Sequence, residues 1–457
     1  MTVSLRLAEW LAALDWAQAP PATRELAVLR LLDTTGLLLG AGNAPAAAMI
    51  RGRAASAGSG RASIVGRLQP VSAGAAALAH GVIAHCLDYD DTLPESVVHP
   101  GSVVVPVALA VGEEAGASGR DILTAIVGGY EVAARLAQVG GTGFHARGFH
   151  ASGIFAPIAA AYTAARLLRL RPAAMASAAG LAASMSGGLL AFIEDGSWSK
   201  WLHLGWGGHG GVLAAQLAAD GFRGPHGALD GRHNLFAAFL SGTKGEPAAA
   251  ATDLGTRWAG DTARFKYYPC AHVIQPYIDL ALDLRRAHGI EAAQVTAVHC
   301  TVAPWAVPIV CEPAAAKIQP RAVIEAIASL RFNVAAALAC GRVGLEILEE
   351  PTWRRPDIVE LSRRVGYAAD PALSGFAARL EIELAGGARL AARVDGASPP
   401  DAARLHRKFR ELAARGLPDA DATGLERAIA TFADASDATP VGTALRAAGR
   451  ADPSATN

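Results

Sequence analysis

Apolar residues recur at helical spacing almost without interruption from residue 23 to about 245, in segments such as 26–39, 74–87, 103–114 and 120–139. Ser118 is placed to cap the helix that follows it, and Gly116 to end the one before. Strand signals are nearly absent from this stretch. The first twenty residues read as an amphipathic helix, because Arg6, Glu9 and Asp15 interrupt the leucines. That interruption also leaves no apolar run long enough for a signal peptide. The longest uncharged run, 172–193, is rich in Ala, Ser and Gly, and reads as a buried helix followed by a turn rather than a membrane span.

The texture changes after Gly245. A helix is expected near 275–288, a strand over 294–302 and a hairpin of 379–384 with 389–394 across 385–387, while 321–339 suits a helix packed on one sheet face. Amphipathic helices return over 401–448. The fold class is therefore mainly α, with a large all-helical domain over 1–260 and a smaller α+β lid domain over 261–399. Residues 400–457 are expected to pack back onto the first domain and complete it.

With 457 residues the chain exceeds what one hydrophobic core usually holds, about 250–300 residues, which supports two domains. Lys plus Arg equals Asp plus Glu at 41 each, so no bulk field draws the chain to nucleic acid or to an anionic membrane. Any anion site must be local. Five cysteines, an odd number without Cys-x-x-Cys spacing, point to a reducing, cytoplasmic setting with neither disulfides nor zinc.

Against this apolar background the polar clusters stand out. The first is His85-Cys86-Leu87-Asp88-Tyr89-Asp90-Asp91-Thr92, followed by His99-Pro100-Gly101 at the start of the next helix. His85 and Asp88, three apart, are expected to share a helical face, with His85 a satisfied core histidine. Unpaired charges in such surroundings cost several kcal/mol, roughly, so a site is the economical reading. Two histidines and three carboxylates also make a metal site a rival, but their spacing matches no short metal motif, and no metal or other cofactor is expected.

The second cluster surrounds His145 and His150 among glycines. His150 begins an Ala-rich helix, where the N-terminal dipole favours neutral imidazole, and His145 reads as a surface-loop residue. The third is Glu194–His203, with Lys200 and His203 flanked by Trp198 and Trp201 and followed by a glycine-rich run that implies close backbone approach. The fourth is Phe265-Lys266-Tyr267-Tyr268-Pro269-Cys270, at the expected domain junction. Cys270 reads as a packed thiol there.

In order, these segments resemble the MmgE/PrpD family, which includes 2-methylcitrate dehydratase, cis-aconitate decarboxylase and iminodisuccinate epimerase. The resemblance covers nearly the whole chain and is most specific at His85-x-x-Asp88-Tyr89-Asp90-Asp91-Thr92, at His99-Pro100-Gly101, at Lys200-x-x-His203 and at Phe265-Lys266-x-Tyr268-Pro269-Cys270. It implies a homodimer with the active site between a helical domain and an α+β lid, and a small di- or tricarboxylate as substrate. Carried over, the pocket is Asp88, Thr92, His99, His150, Lys200 and Lys266; Asp88, His99 and His150 are expected to be catalytic, with Asp88 orienting a histidine, and Thr92, Lys200 and Lys266 to bind substrate together with His203, which the third cluster itself offers as a carboxylate binder. Dehydration of a 2-methylcitrate-like hydroxy acid is the expected reaction, with epimerisation, decarboxylation or simple carboxylate binding as alternatives. The decarboxylase branch has a tyrosine lining the pocket from the lid. The comparable stretch here, Val302-Ala303-Pro304-Trp305-Ala306-Val307-Pro308, has none.

Overall fold

The computed structural model describes residues 1–240 and 245–449. Its longer helices are α1 (Val3–Ala13), α2 (Pro21–Ala41), α3 (Pro45–Ala55), α4 (Ala73–His85), α5 (Gly101–Ala115), α6 (Gly119–Gly140), α7 (Ala151–Leu167), α8 (Pro172–Ser184) and α9 (Ser199–Ala219). Beyond residue 245 follow α10 (Gln275–His288), α11 (Leu330–Cys340), α12 (Pro356–Arg364), α13 (Ala402–Ala413), α14 (Asp419–Ala430) and α15 (Thr439–Ala447). The protein is mainly α, as its periodicity predicts.

The helix ends follow local chemistry. Ser118 accepts the Asp121 N–H at the start of α6, and Gly116, at φ +63°, closes α5. Helix α9 packs against both α4 and α7. Its glycines make that possible: Gly205 lies against the Leu78 carbonyl and Gly207 against Ala156, and a Cβ on Gly81 would sit 2.7 Å from the Gly205 Cα. Side chains there would push the helices apart, so the Gly-rich run is a packing device that brings the Lys200 and His203 end of α9 to α4. Helix α6 is long and apolar enough to cross a membrane, yet 89% of its apolar window is buried inside the protein.

Two sheets are present among the described residues. Strands β1 (Ala62–Ile64) and β2 (Arg67–Val71) form a small antiparallel pair that the sequence reading missed. Strands β3 (Val295–Val302), β4 (Val365–Ala369), β5 (Ala378–Leu384) and β6 (Arg389–Val394) form a mixed sheet in the order β4-β3-β5-β6, with β3 and β4 parallel. Val298, Cys300 and Val302 on β3 and Leu380 and Ile382 on β5 are buried, with α10, α11 and α12 packed nearby. The helix expected over 321–339 is split: Val323–Ile327 ends, and Ser329 caps α11 by accepting the Phe332 N–H.

Helix α13 packs along α2, and α14 and α15 also reach α2, so these C-terminal helices lie on elements of the first half. Residues 450–457 of the expected C-terminal segment lie outside the described residues. The five cysteines are unpaired, and Cys270 is a buried thiol whose Sγ is 3.5 Å from the Gln275 Nε2.

Candidate active site

Helix α4 ends at His85, and the chain turns through Asp88, which holds a left-handed φ of +48°. A non-glycine residue there is uncommon and costs about 1 kcal/mol or more unless its surroundings hold it. Here they do. Lys200 Nζ and Lys266 Nζ each lie 2.8 Å from Asp88 Oδ1, and Lys266 also donates to the Asp88 carbonyl at 2.8 Å. Burial opposes ionisation of Asp88, but the two ammonium groups overcome it and hold the carboxyl well below its ordinary range.

The expectation that Asp88 orients a histidine is corrected by this turn. The helix stops before His85 and Asp88 can share a face, and the positive φ sends the carboxylate to the lysines instead. The orienting carboxylate is Asp90. Its Oδ2 accepts from His85 Nδ1 at 2.8 Å and from the Ser102 hydroxyl at 2.7 Å. His85 is therefore satisfied at Nδ1 as expected, but its buried Nε2 has no partner, and its ring centroid lies 4.9 Å from His99 and 6.1 Å from His150. His85 belongs to the cluster, not to the core alone.

His99 is held by the loop before α5. Its Nδ1 lies 2.9 Å from the Asp91 carbonyl oxygen and 3.2 Å from Thr92 Oγ1, while its backbone N–H donates to Ser152 on α7. Thr92 thus supports a histidine, and its backbone pairs with Arg264 in both directions, which carries Lys266 to Asp88. Asp91 accepts from the Tyr130 hydroxyl and from the Gly101 N–H, so it fixes the start of α5; burial pushes its carboxyl up to about 7.

His150 occupies the N-cap position of α7, and its Nδ1 is 3.0 Å from Nδ1 of His203 on α9. His145 is half-buried with an unpartnered Nδ1, and its ring lies 6.3 Å from His150, closer to the cluster than a surface-loop residue would be. Burial lowers the imidazoles: His99 to about 3, His203 and His145 to about 4, and His150 well below its ordinary value with His85, His203 and Lys200 adding to the effect. They rest neutral.

Two residues escaped the sequence reading. His272 is buried, with its ring stacked 4.8 Å from Phe376, and burial together with Lys266 holds it well below its ordinary value. Lys408, on α13, forms a buried ion pair with Asp33 at 2.7 Å and donates to the carbonyls of Tyr89 and Lys266 at 2.6 and 3.0 Å. It braces from behind the two loops that carry Asp88 and Lys266. An amphipathic pattern marks α13 as a packed helix, but nothing local marks Lys408 as its buried face.

Imidazole nitrogens of His85, His99 and His150 lie within 4.8 Å of one another, and His85, Asp88 and Asp90 form a second such group. Either has metal-ligand donors. A divalent cation there would meet the fields of Lys200 and Lys266, which already bear on His99. Proton transfer by neutral imidazoles meets no such penalty.

A buried cationic pair on a carboxylate, bordered by histidines from three helix ends, has the chemistry to hold an anion and to move protons. Residues 5–248 match the MmgE/PrpD N-terminal domain and residues 268–433 the MmgE/PrpD C-terminal domain. Among relatives, the cis-aconitate decarboxylase-like protein oryM of Aspergillus oryzae is 28% identical over 240 residues, covering 50% of each chain. A cis-aconitate decarboxylase of Aspergillus terreus is 26% identical over 240 residues, 50% of this chain and 49% of the relative. The chain thus matches about half the length of these fungal relatives. Human cis-aconitate decarboxylase is 26% identical over 393 residues, 81% of this chain and 79% of the relative. The two matched segments cover most of the chain and include His85, His99, His150, Lys200 and His203, with Lys266 in the short stretch between them, and the protein belongs to the MmgE/PrpD family.

Proposed function

We propose that the protein is a lyase that removes the proton next to a carboxylate of a small di- or tricarboxylic acid, foremost in the dehydration of a 2-methylcitrate-like hydroxy acid. The observation that carries this reading is the convergence of Lys200 and Lys266 on one carboxylate oxygen beside buried neutral histidines. Removing such a proton puts negative charge on an enolate-like intermediate. Two fixed ammonium groups with a single carboxylate between them leave one positive charge in excess to hold it. Preorganised donors of this kind contribute about 3–4 kcal/mol each.

His99 and His150 are the proton-transfer pair: one takes the α-proton and the other protonates the leaving hydroxyl. Thr92 and Asp90 act through the histidines they hold. Cofactor-free turnover is part of the proposal, since the base, the acid and the charge stabilisation all come from side chains. The five unpaired thiols support a cytoplasmic setting.

A second reading, decarboxylation of a cis-aconitate-like acid, is favoured by what the relatives are named for. It would use the same lysines, with a carboxylate in place of the proton as the departing group. The absence of tyrosine from 302–308 weighs against it. The test is a panel of hydroxy and unsaturated tricarboxylates, with imino and hydroxy dicarboxylates, followed by absorbance of a new conjugated alkene, by release of carbon dioxide and by solvent-deuterium uptake. Dehydration gives the alkene without carbon dioxide. Carbon dioxide release selects the second reading, and deuterium uptake with neither product selects epimerisation.

A homodimer is also part of the proposal. Trp198, Leu202, Trp206 and Leu213 lie at or within α9 near helical spacing and are exposed, with Leu189 and Ile193 alongside. A second copy covering this stripe would bury aromatic and aliphatic anchors next to the helix that carries Lys200 and His203.

A further inference from the structure

His203, expected to meet a substrate carboxylate, has its ring committed to His150. Their Nδ1 atoms are 3.0 Å apart. The His203 ring fits a slot left by two glycines: a Cβ on Gly188 would lie 3.1 Å from its Cγ and Nδ1, and one on Gly153 would lie 3.2 Å from its Cβ. The Gly188 carbonyl accepts the His150 backbone N–H at 3.0 Å, so one residue shapes the seats of both rings. His150 is buried and His203 half-buried, so the pair runs outward from the cluster.

Two ring nitrogens at this distance share one hydrogen, and the pair alone does not decide which ring donates. His99 decides. Its Nδ1 faces the Asp91 carbonyl, which only accepts, so neutral His99 carries its hydrogen on Nδ1 and a lone pair on Nε2. A second lone pair facing the one on His99, within 4.8 Å of it, would be repelled, whereas an N–H is favoured. His150 therefore carries its hydrogen on Nε2 and accepts from His203 at Nδ1.

We infer that His203 is a positioning residue that holds His150 in this tautomer and returns a proton to it from the solvent side, making His150 the acid and His99 the base of the elimination proposed above. The inference rests on that lyase reading. The step balances. His99 Nε2 takes the α-proton as the carbon–oxygen bond breaks, and the departing hydroxide takes the Nε2 proton of His150 to become water. His150 Nδ1 takes the Nδ1 proton of His203, whose Nε2 takes one from solvent. The reset runs the relay backwards: the proton on His99 passes through water to His150 Nε2, His150 Nδ1 returns its hydrogen to His203 Nδ1, and His203 Nε2 gives one back to solvent, so all three rings end neutral in their starting tautomers.

Two measurements test it. Nitrogen-15 NMR of the resting full-length protein should show His150 protonated at Nε2 and bare at Nδ1, and this pattern should be lost in His203→Ala. With 2-methylcitrate as substrate, His203→Ala should lower kcat by about ten- to a hundredfold with KM changed less than threefold, and added imidazole should restore much of the rate through the slot beside Gly188. A His150 protonated at Nδ1 overturns the inference, as does a raised KM with unchanged kcat, which would return His203 to carboxylate binding. Failure of imidazole to rescue a folded His203→Ala protein also overturns it. If the wild type turns over no carboxylic acid while the NMR pattern holds, the tautomer stands and the lyase reading falls.

Discussion

Replacing Lys408 with Met should destabilise the protein far more than the loss of one surface lysine, although Lys408 is remote from any substrate. Lys408 and Asp33 are both buried and lie 2.7 Å apart. Burial raises the Asp33 carboxyl even against the pull of Lys408, and lowers the Lys408 ammonium, so the pair gains little over an apolar substitute. Breaking it is another matter. The substitution strands a buried carboxylate, at a cost of about 3–5 kcal/mol, and leaves the Tyr89 and Lys266 carbonyls without that donor. Asp33→Leu with Lys408→Met removes both charges and should recover most of the loss.

The pH dependence has a definite sign. Without Lys408, the folded Asp33 pKa rises further above its unfolded value of 3.8, so the folded state binds the extra proton. Stability is then present at low pH and lost as pH rises through that window, and the Lys408→Met penalty should be larger at pH 8 than at pH 5. Denaturant unfolding of the wild type, the single variant and the double variant at both pH values reads this directly. A single-variant cost below about 1 kcal/mol, or a double variant no more stable than the single one, would refute the reasoning.

Lys200→Met and Lys266→Met should each lower kcat/KM by about a hundredfold or more in steady-state assays, in line with a lost charge-stabilising donor; less than a tenfold loss in both would remove the clamp from the mechanism. His99→Asn and His150→Asn should each cost about a hundredfold in kcat, and near-normal rates in both would sink the proton-transfer assignment. Thermal stability should fall as pH drops from 6.5 toward 4, because the folded pKa values of buried His80 and His99 lie near 3, below the unfolded 6.5; at pH 5 each withholds about 2 kcal/mol, and a flat melting temperature across this range would contradict it. Leu202→Glu with Trp206→Glu should yield a monomer by sedimentation, and an unchanged dimer would place the interface elsewhere.

The helices were legible because their caps and apolar spacing are local: Ser118, Gly116 and the run ending at His85 needed no tertiary context. The short pair β1 and β2 was not, since Ala62–Ile64 is only three residues and Pro70 interrupts β2. Strand β4 begins directly where α12 ends at Arg364, with no turn signal between them. At the site, the sequence placed the right residue types in the right segments but misassigned their partners. Whether Asp88 or Asp90 holds a histidine depends on one backbone dihedral. The burial of Lys408 depends on a helix more than three hundred residues from its Tyr89 partner in sequence.

The charges at the site also bear on what kind of molecule it can process. Lys200 and Lys266 share the Asp88 carboxylate, and the Asp90 carboxylate that holds His85 lies beside it, so this buried set is close to neutral as a whole before any ligand arrives. In that state His99, lowered to about 3, is too weak a base to take a proton from carbon. A carboxylate about 5–6 Å away changes this, because one negative charge at an effective dielectric of about 20 favours imidazolium by about 3 kcal/mol, or about two pKa units. Two carboxylates bring His99 toward the neutral range, where a general base works best. On the proposed reading the substrate therefore supplies the field that makes its own base competent, and a monoester would lose catalysis as well as binding. On that reading the site discriminates for multiply charged acids through the basicity of His99, and not only through contacts with Lys200 and Lys266.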